Sequence, residues 1–286
     1  MTEEEIEKLI ASYINEHNNK VMADFEGYSP GEMHKIIYHA FSDNSPVQLK
    51  ELTDTEYRKV PLLNQIKYLM NVIAEKGELK LTNKGFLPTK VVADIYAQGF
   101  IKDFDIEKGI SKLYKEADVM SINHTRILLE ISGLIKKRNG KLSLTKEGGK
   151  IAGNNHLLLK RIITIFGYKF NWAYYDGYGE NQIGRLGFAF SLILLHKYGH
   201  KKRDSAFYAE KYFKAFPHLY EDNNSSTRFF TSNASERCYS LRTFQRFLDY
   251  FGVVSDEFEN PWDFVRYITK TNLFDRLFYI APPGKK

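Results

Sequence analysis

The densest run of chemically capable side chains lies at residues 136–150. There Lys136, Lys137, Arg138, Lys141, Lys146 and Lys150 are set against one acid, Glu147. Cations at this density suit phosphate contact, because each neutralised phosphate releases condensed counterions and drives association. Just upstream stand Asn123, His124 and Arg126. Asparagine can pair with an adenine edge and arginine with guanine, so these three are the candidates to approach bases. Glu130 on the same segment would face phosphates unfavourably. A second reading stays open, in which the lysines only keep the edge strand of a solvated hairpin from pairing with other chains.

Other spacings that could do chemistry are weaker. His196 and His200 are four apart, as metal ligands on one helical face would be. No Glu accompanies them, Gly199 intervenes, and Lys197 and Lys201 load the face with positive charge, which favours histidines at a helix C-terminus. Gly177-x-Gly179 lacks the Gly-Lys-Ser/Thr of a phosphate loop, and no Gly-x-Ser-x-Gly elbow occurs. Cys238 is the only cysteine, which rules out an internal disulfide and a multi-cysteine zinc site. The sequence therefore assigns no catalytic residue, metal ligand or cofactor, and the expectation is a non-enzymatic protein. The aromatic run Tyr168, Phe170, Trp172, Tyr174, Tyr175 and Tyr178 could stack unpaired bases, but its spacing favours a buried corner. If left exposed, Trp172, Tyr174, Tyr175 and Tyr178 would instead form a surface for a protein partner or a second copy of the chain.

The elements that must position these residues show through one phrase used twice. Residues 77–85 read GELKLTNKG and residues 140–148 read GKLSLTKEG, each after a strongly apolar stretch, 62–74 and 127–135. In the second copy, Asn139-Gly140 joins two short alternating segments, a strong hairpin signal because both residues tolerate positive φ. Helix followed by a two-stranded wing is the second half of a winged helix-turn-helix, so the spacing predicts tandem winged-helix-like units. A third, less basic echo runs from a helix at 241–251 through Gly252 and Val253-Val254 to a returning segment at 264–271. Elsewhere the pattern is mostly helical. It includes an amphipathic segment at 3–16, Ser29-Pro30 capping a helix to about Tyr38, Pro61 opening the first repeat helix and Pro88 opening another. Further helices are expected at 106–117, 122–132, 157–168, 182–197 and from Asp204 to Phe216, with 221–235 as the best loop candidate.

Composition bounds the rest. With 286 residues, 43% hydrophobic and 27% charged, the chain reads as two or three globular modules. The first sixty residues hold twelve acids against six bases, leaving 35 bases and 23 acids, +12, for the remainder. No secretory signal or membrane span is legible, so a cytoplasmic protein is expected. The expected fold class is α+β, mainly α-helical. It comprises an acidic helical region at 1–60, tandem winged-helix-like repeats with short β-hairpin wings at 61–153, and a helical C-terminal region at 154–286.

Several strings also carry a resemblance: EGYSPGEM at 26–33, the segment 43–49, PLLNQIKYL at 61–69, LPTKVV at 87–92 and KFNWA at 169–173. Together they resemble a group of uncharacterised bacterial proteins whose core also occurs joined to plasmid ORF-three-like, transposon-passenger domains. The resemblance spans roughly residues 25–280 and implies a bacterial, cytoplasmic, mobile-element context without assigning any site residue. The expected function is DNA binding through the basic wing, with Lys136, Lys137, Arg138 and Lys141 on phosphates and Asn123, His124 and Arg126 near bases. The alternative is a protein-interaction or assembly module in which the winged units are structural.

Overall fold

Proline and glycine set several of the element boundaries, and Thr, Ser, Asp and Asn caps set others. The computed structural model describes residues 2–220, 234–258 and 265–284, so most of the expected loop at 221–235 lies outside the described residues. In chain order the elements begin with α1 (Glu3–Asn19), α2 (Pro30–Tyr38), β1 (Val47–Leu49), α3 (Asp54–Tyr57), α4 (Pro61–Lys76), β2 (Leu79–Lys80) and α5 (Thr89–Ala97). Next come α6 (Phe104–Glu107), α7 (Met120–Ile131), β3 (Ile135–Arg138), β4 (Lys141–Leu144), α8 (Lys146–Ile151) and α9 (Asn155–Tyr168). The order ends with α10 (Phe188–Tyr198), β5 (Arg203–Asp204), α11 (Ser205–Ala215), α12 (Ala234–Ser240), β6 (Val254–Phe258), β7 (Arg266–Lys270), α13 (Asn272–Leu277) and β8 (Phe278–Ile280). The fold is α+β and mainly α-helical, with small antiparallel sheets.

Two compact units divide the chain. One comprises residues 51–171 with 246–253, and the other 1–50, 172–245 and 254–286. The expected boundaries lay at 60 and 153; here two stretches make up the first unit and three the second.

In the 51–171 unit, Pro61 occupies the first turn of α4, where no N–H is missed. The apolar face Leu62, Leu63, Ile66, Leu69, Met70 and Ile73 is buried, and Gly77 at φ 66° ends the helix. Strand β2 follows, and its partner is the main departure from the sequence reading. Leu79 pairs with Leu142 and Lys80 with Lys141, giving a three-stranded sheet in the order β2-β4-β3. The two similar phrases are thus neighbouring strands of one sheet, and the expected tandem pair within 61–153 is replaced by a single unit of α4, β2, α5, α7, β3 and β4, with the four-residue α6 between α5 and α7.

The helix expected at 106–117 is also reduced to α6, capped by the Asp103 carboxylate accepting from the N–H groups of Asp105 and Ile106. Gly109 at φ 72° closes that turn, and Glu116 is drawn into the core. After β4, the Thr145 hydroxyl accepts from the Gly148 N–H at 2.9 Å and donates to the Gly133 carbonyl at 2.7 Å. A Cβ on Gly148 would lie 2.0 Å from the Leu134 carbonyl oxygen, so α8 approaches the sheet this closely only with glycine there.

The same element order recurs in α10, β5, α11, α12, β6 and β7, with sheet order β5-β7-β6. Residues 241–248 continue α12 with π-type turns, and Gly252 at φ 69° ends the helical run before β6. Val254 pairs with Lys270 and Phe258 with Arg266, so the strands of the weak third echo pair as a hairpin. Helix α10 starts later than the expected residue 182, because Gly184 and Gly187 hold positive φ ahead of it. An aromatic core of Phe190, Tyr208, Tyr212, Phe216, Tyr239 and Phe244 lies around it. In the same unit β1 pairs with β8, from Val47–Ile280 to Leu49–Phe278, closing the N-terminal region on the C-terminal one. Among the described residues no helix is long and apolar enough to cross a membrane.

Candidate nucleic-acid interface

The β3–β4 hairpin turns at Asn139 (φ 49°) and Gly140 (φ 70°), both left-handed as a tight hairpin with right-handed twist requires. Its pairing register is Ile135–Leu144, Lys136–Ser143, Lys137–Leu142 and Arg138–Lys141. Alternation sends Ile135, Leu79 and Leu142 inward, where they are buried. The same alternation places Lys80, Lys136, Arg138 and Lys141 together on the outer face, all exposed. Because Lys80 pairs with Lys141 and Lys141 with Arg138, three cations stand in one row across three strands.

Like charges directly opposite each other destabilise a sheet, so this row costs stability that an anion would restore. Glu78 relieves part of it. Its carboxylate accepts from Lys141 Nζ at 2.7 Å, and that hydrogen bond, with the charge of Lys141, holds the Glu78 pKa below the ordinary range. One carboxylate against four cations still leaves the face strongly positive. Lys137 lies on the opposite face of β3, its ammonium so close to Gly85 that a Cβ there would be 2.7 Å away. Lys80 was missed in the sequence reading because nothing local tells that β2 lies beside the β3–β4 hairpin.

The three residues expected to approach bases are in the interior, and that expectation is corrected. Asn123, His124 and Arg126 are all buried, among the eight buried residues of the twelve in α7. Asn123 and Arg126 turn to Glu116, a carboxylate with no exposed side-chain surface. It accepts from the Leu87 N–H at 2.6 Å, Asn123 Nδ2 at 2.7 Å and Arg126 Nε at 2.7 Å. Arg126 also donates to Glu130. Burial works against the guanidinium's charge, but the Glu116 and Glu130 carboxylates outweigh it and raise its pKa. Glu130, expected to repel phosphates, instead closes this cluster.

His124 packs against Phe170, Tyr250 and Phe166, with ring centroids 4.8, 5.9 and 6.3 Å away. Burial, helped by the charge of Arg246, pushes its pKa down to about 3. The unfolded chain therefore binds a proton at His124 near pH 6.5 that the folded chain refuses until pH falls to about 3. Stability due to this residue is complete above that window and is lost as pH falls through it, at roughly 1.4 kcal/mol per pH unit. Urea unfolding at pH 7 and pH 5 should show the decline. His124→Phe should remove much of it, and an unchanged pH slope would contradict the assignment.

The aromatic run is divided. Trp172 is buried, its ring about 3.2 Å from where a Cβ on Gly184 would stand, and Tyr174 and Tyr178 are half-buried. Only Tyr175 stands well out, 76% exposed. Trp172 thus takes no part in an exposed aromatic patch. The Gly177-x-Gly179 turn wraps a side chain of its own: Arg242 donates to Asp176, to the Gly179 carbonyl at 3.0 Å and to Asn181 Oδ1 at 2.6 Å. His196 stacks at 6.5 Å on Phe274 and lies 4.0 Å from Asp275. Among the described residues no group of three His, Cys, Asp or Glu side chains is placed to hold a metal.

Residues 58–157 match the Y4jL N-terminal domain family model. The matched stretch runs from just before α4 to the start of α9 and so holds the whole three-stranded sheet and its basic row. No curated protein and no solved structure matches the chain.

Proposed function

We propose that this protein is a non-catalytic DNA-binding protein that grips the phosphate backbone with little reading of sequence. The supporting observation is the cross-strand row Lys80–Lys141–Arg138, continued by Lys136 on the same exposed face. In this reading the element order α4-β2-α5-α7-β3-β4, with sheet order β2-β4-β3, is a winged-helix arrangement and the Asn139-Gly140 hairpin is its wing. The helix that would read the major groove is sealed by Glu116 inside the core. Contact therefore rests on phosphates, and affinity without base selection follows.

Binding of the purified chain to a labelled mixed-sequence duplex, measured from about 50 to 200 mM salt, tests this. Four phosphate contacts predict a slope of log K against log salt of about −4, and a roughly hundredfold loss across that range. No binding at the low-salt end would refute the proposal. The burial of α7 favours one second reading, a protein-interaction module in which the winged unit is structural; a partner held regardless of salt would support it. The resemblance to proteins joined to transposon-passenger domains would place either role in a bacterial mobile-element setting.

A further inference from the structure

Helix α1 is the least supported element among the described residues. None of its 17 residues is buried, yet Ile6, Leu9, Ile10, Tyr13 and Ile14 are between 40 and 71% exposed. Ile6, Ile10 and Tyr13 are spaced by four and three, with Leu9 and Ile14 flanking them. That spacing makes one apolar stripe along a helix about 25 Å long. A lone helix of this length is marginal in water, and its stability comes from covering such a stripe. The visible support is at its end, where Asn18 abuts Gly31 of α2.

The charges on α1 indicate what covers it. Glu3, Glu4, Glu5 and Glu7, with only Lys8 among them, make the first half acidic, while Glu16, His17 and Lys20 leave the far end close to neutral. Two such helices side by side in parallel would set four acids against four acids. Antiparallel, the acids of one helix avoid those of the other and lie beside its far end, where Lys20 and His17 offset Glu16, and the helix dipoles oppose favourably. An anionic membrane surface is a poor occupant, because the polar side of α1 carries far more Glu than Lys.

We infer that α1 pairs antiparallel with α1 of a second copy of this chain, making a homodimer. The inference is independent of DNA binding. A two-helix contact buries less than the roughly 800 Å² per partner of a standard stable interface, so association in the micromolar range is expected.

Sedimentation equilibrium of the full chain, without DNA, from about 1 to 100 µM tests this range. The mass should rise from one copy towards two. Ile10→Glu should weaken association roughly tenfold or more (a loss of about 1.4 kcal/mol or more) with the thermal midpoint of the cores unchanged, since α1 buries nothing in them. Glu3→Lys with Glu4→Lys should also weaken it, whereas a parallel pair would be left no weaker. Mixing that variant with a His17→Glu, Lys20→Glu chain should restore pairing. A monomer throughout the range, or a dimer indifferent to Ile10→Glu, would overturn the inference.

Discussion

Replacing Lys80, Lys136, Arg138 and Lys141 together with glutamine is expected to abolish most DNA binding, lowering affinity at about 50 mM salt by a hundredfold or more. The salt slope should collapse from about −4 towards zero, because each phosphate contact removed takes about 0.9 from it. All four side chains are exposed on the outer face, so their loss leaves no cavity and no orphaned buried group. Substitutions of that kind move stability by about 0.5 kcal/mol or less each. Removing the repulsion along the Lys80–Lys141–Arg138 row should offset even that. Fluorescence anisotropy across a salt series, beside a thermal melt, separates the two effects. Intact folding with an unchanged slope would move the DNA contact away from the wing. Lys80 alone is the sharper probe, since only the pairing of β2 with β4 brings it to this face.

Removing the Glu116 side chain should have the largest effect on stability. Glu116→Ala leaves the Arg126 charge buried with one carboxylate fewer, and strips a partner from the Asn123 amide and the Leu87 N–H. Breaking a buried ion pair from one side costs about 3–5 kcal/mol, a large share of the roughly 5–15 kcal/mol that holds a domain folded. Glu116→Gln, which still accepts hydrogen bonds, should fall between. Adding Arg126→Met to Glu116→Ala should recover part of the loss, because the uncompensated charge is then gone. Urea unfolding measures each step. A loss below about 1 kcal/mol for Glu116→Ala would mean that water reaches and satisfies the cluster.

The same residues mark where sequence reading stops. Asn123, His124 and Arg126 form a polar stretch beside apolar neighbours, a pattern that equally describes a groove-facing helix and a helix satisfied by a buried acid. What separates the two is Glu116, on a segment whose periodicity suggested an amphipathic helix and which Gly109 instead breaks. The twin phrases are a second case. Their similarity in sequence accompanies similar duties as strands of one sheet, and the expectation of tandem units set β2 apart from β4, the strand with which it pairs. The aromatic run went the other way: its irregular spacing spoke for a corner, and Trp172 is buried while Tyr175 is not.

By itself, the sequence determined the parts governed by neighbours a few residues apart. These are the buried stripe of α4, its start at Pro61 and stop at Gly77, the hairpin at Asn139-Gly140 with its charge, and the mainly helical character. Helix propensity, capping and turn chemistry act over one or two turns of chain, so they are legible there. Tertiary structure alone decided which strand lies beside the β3–β4 hairpin, that Lys80 joins its cationic row, and that Asn123 and Arg126 of α7 turn inward to Glu116. Strand pairing and burial depend on which remote segments meet, and a polar side chain is functional or structural according to whether water or a buried partner satisfies it.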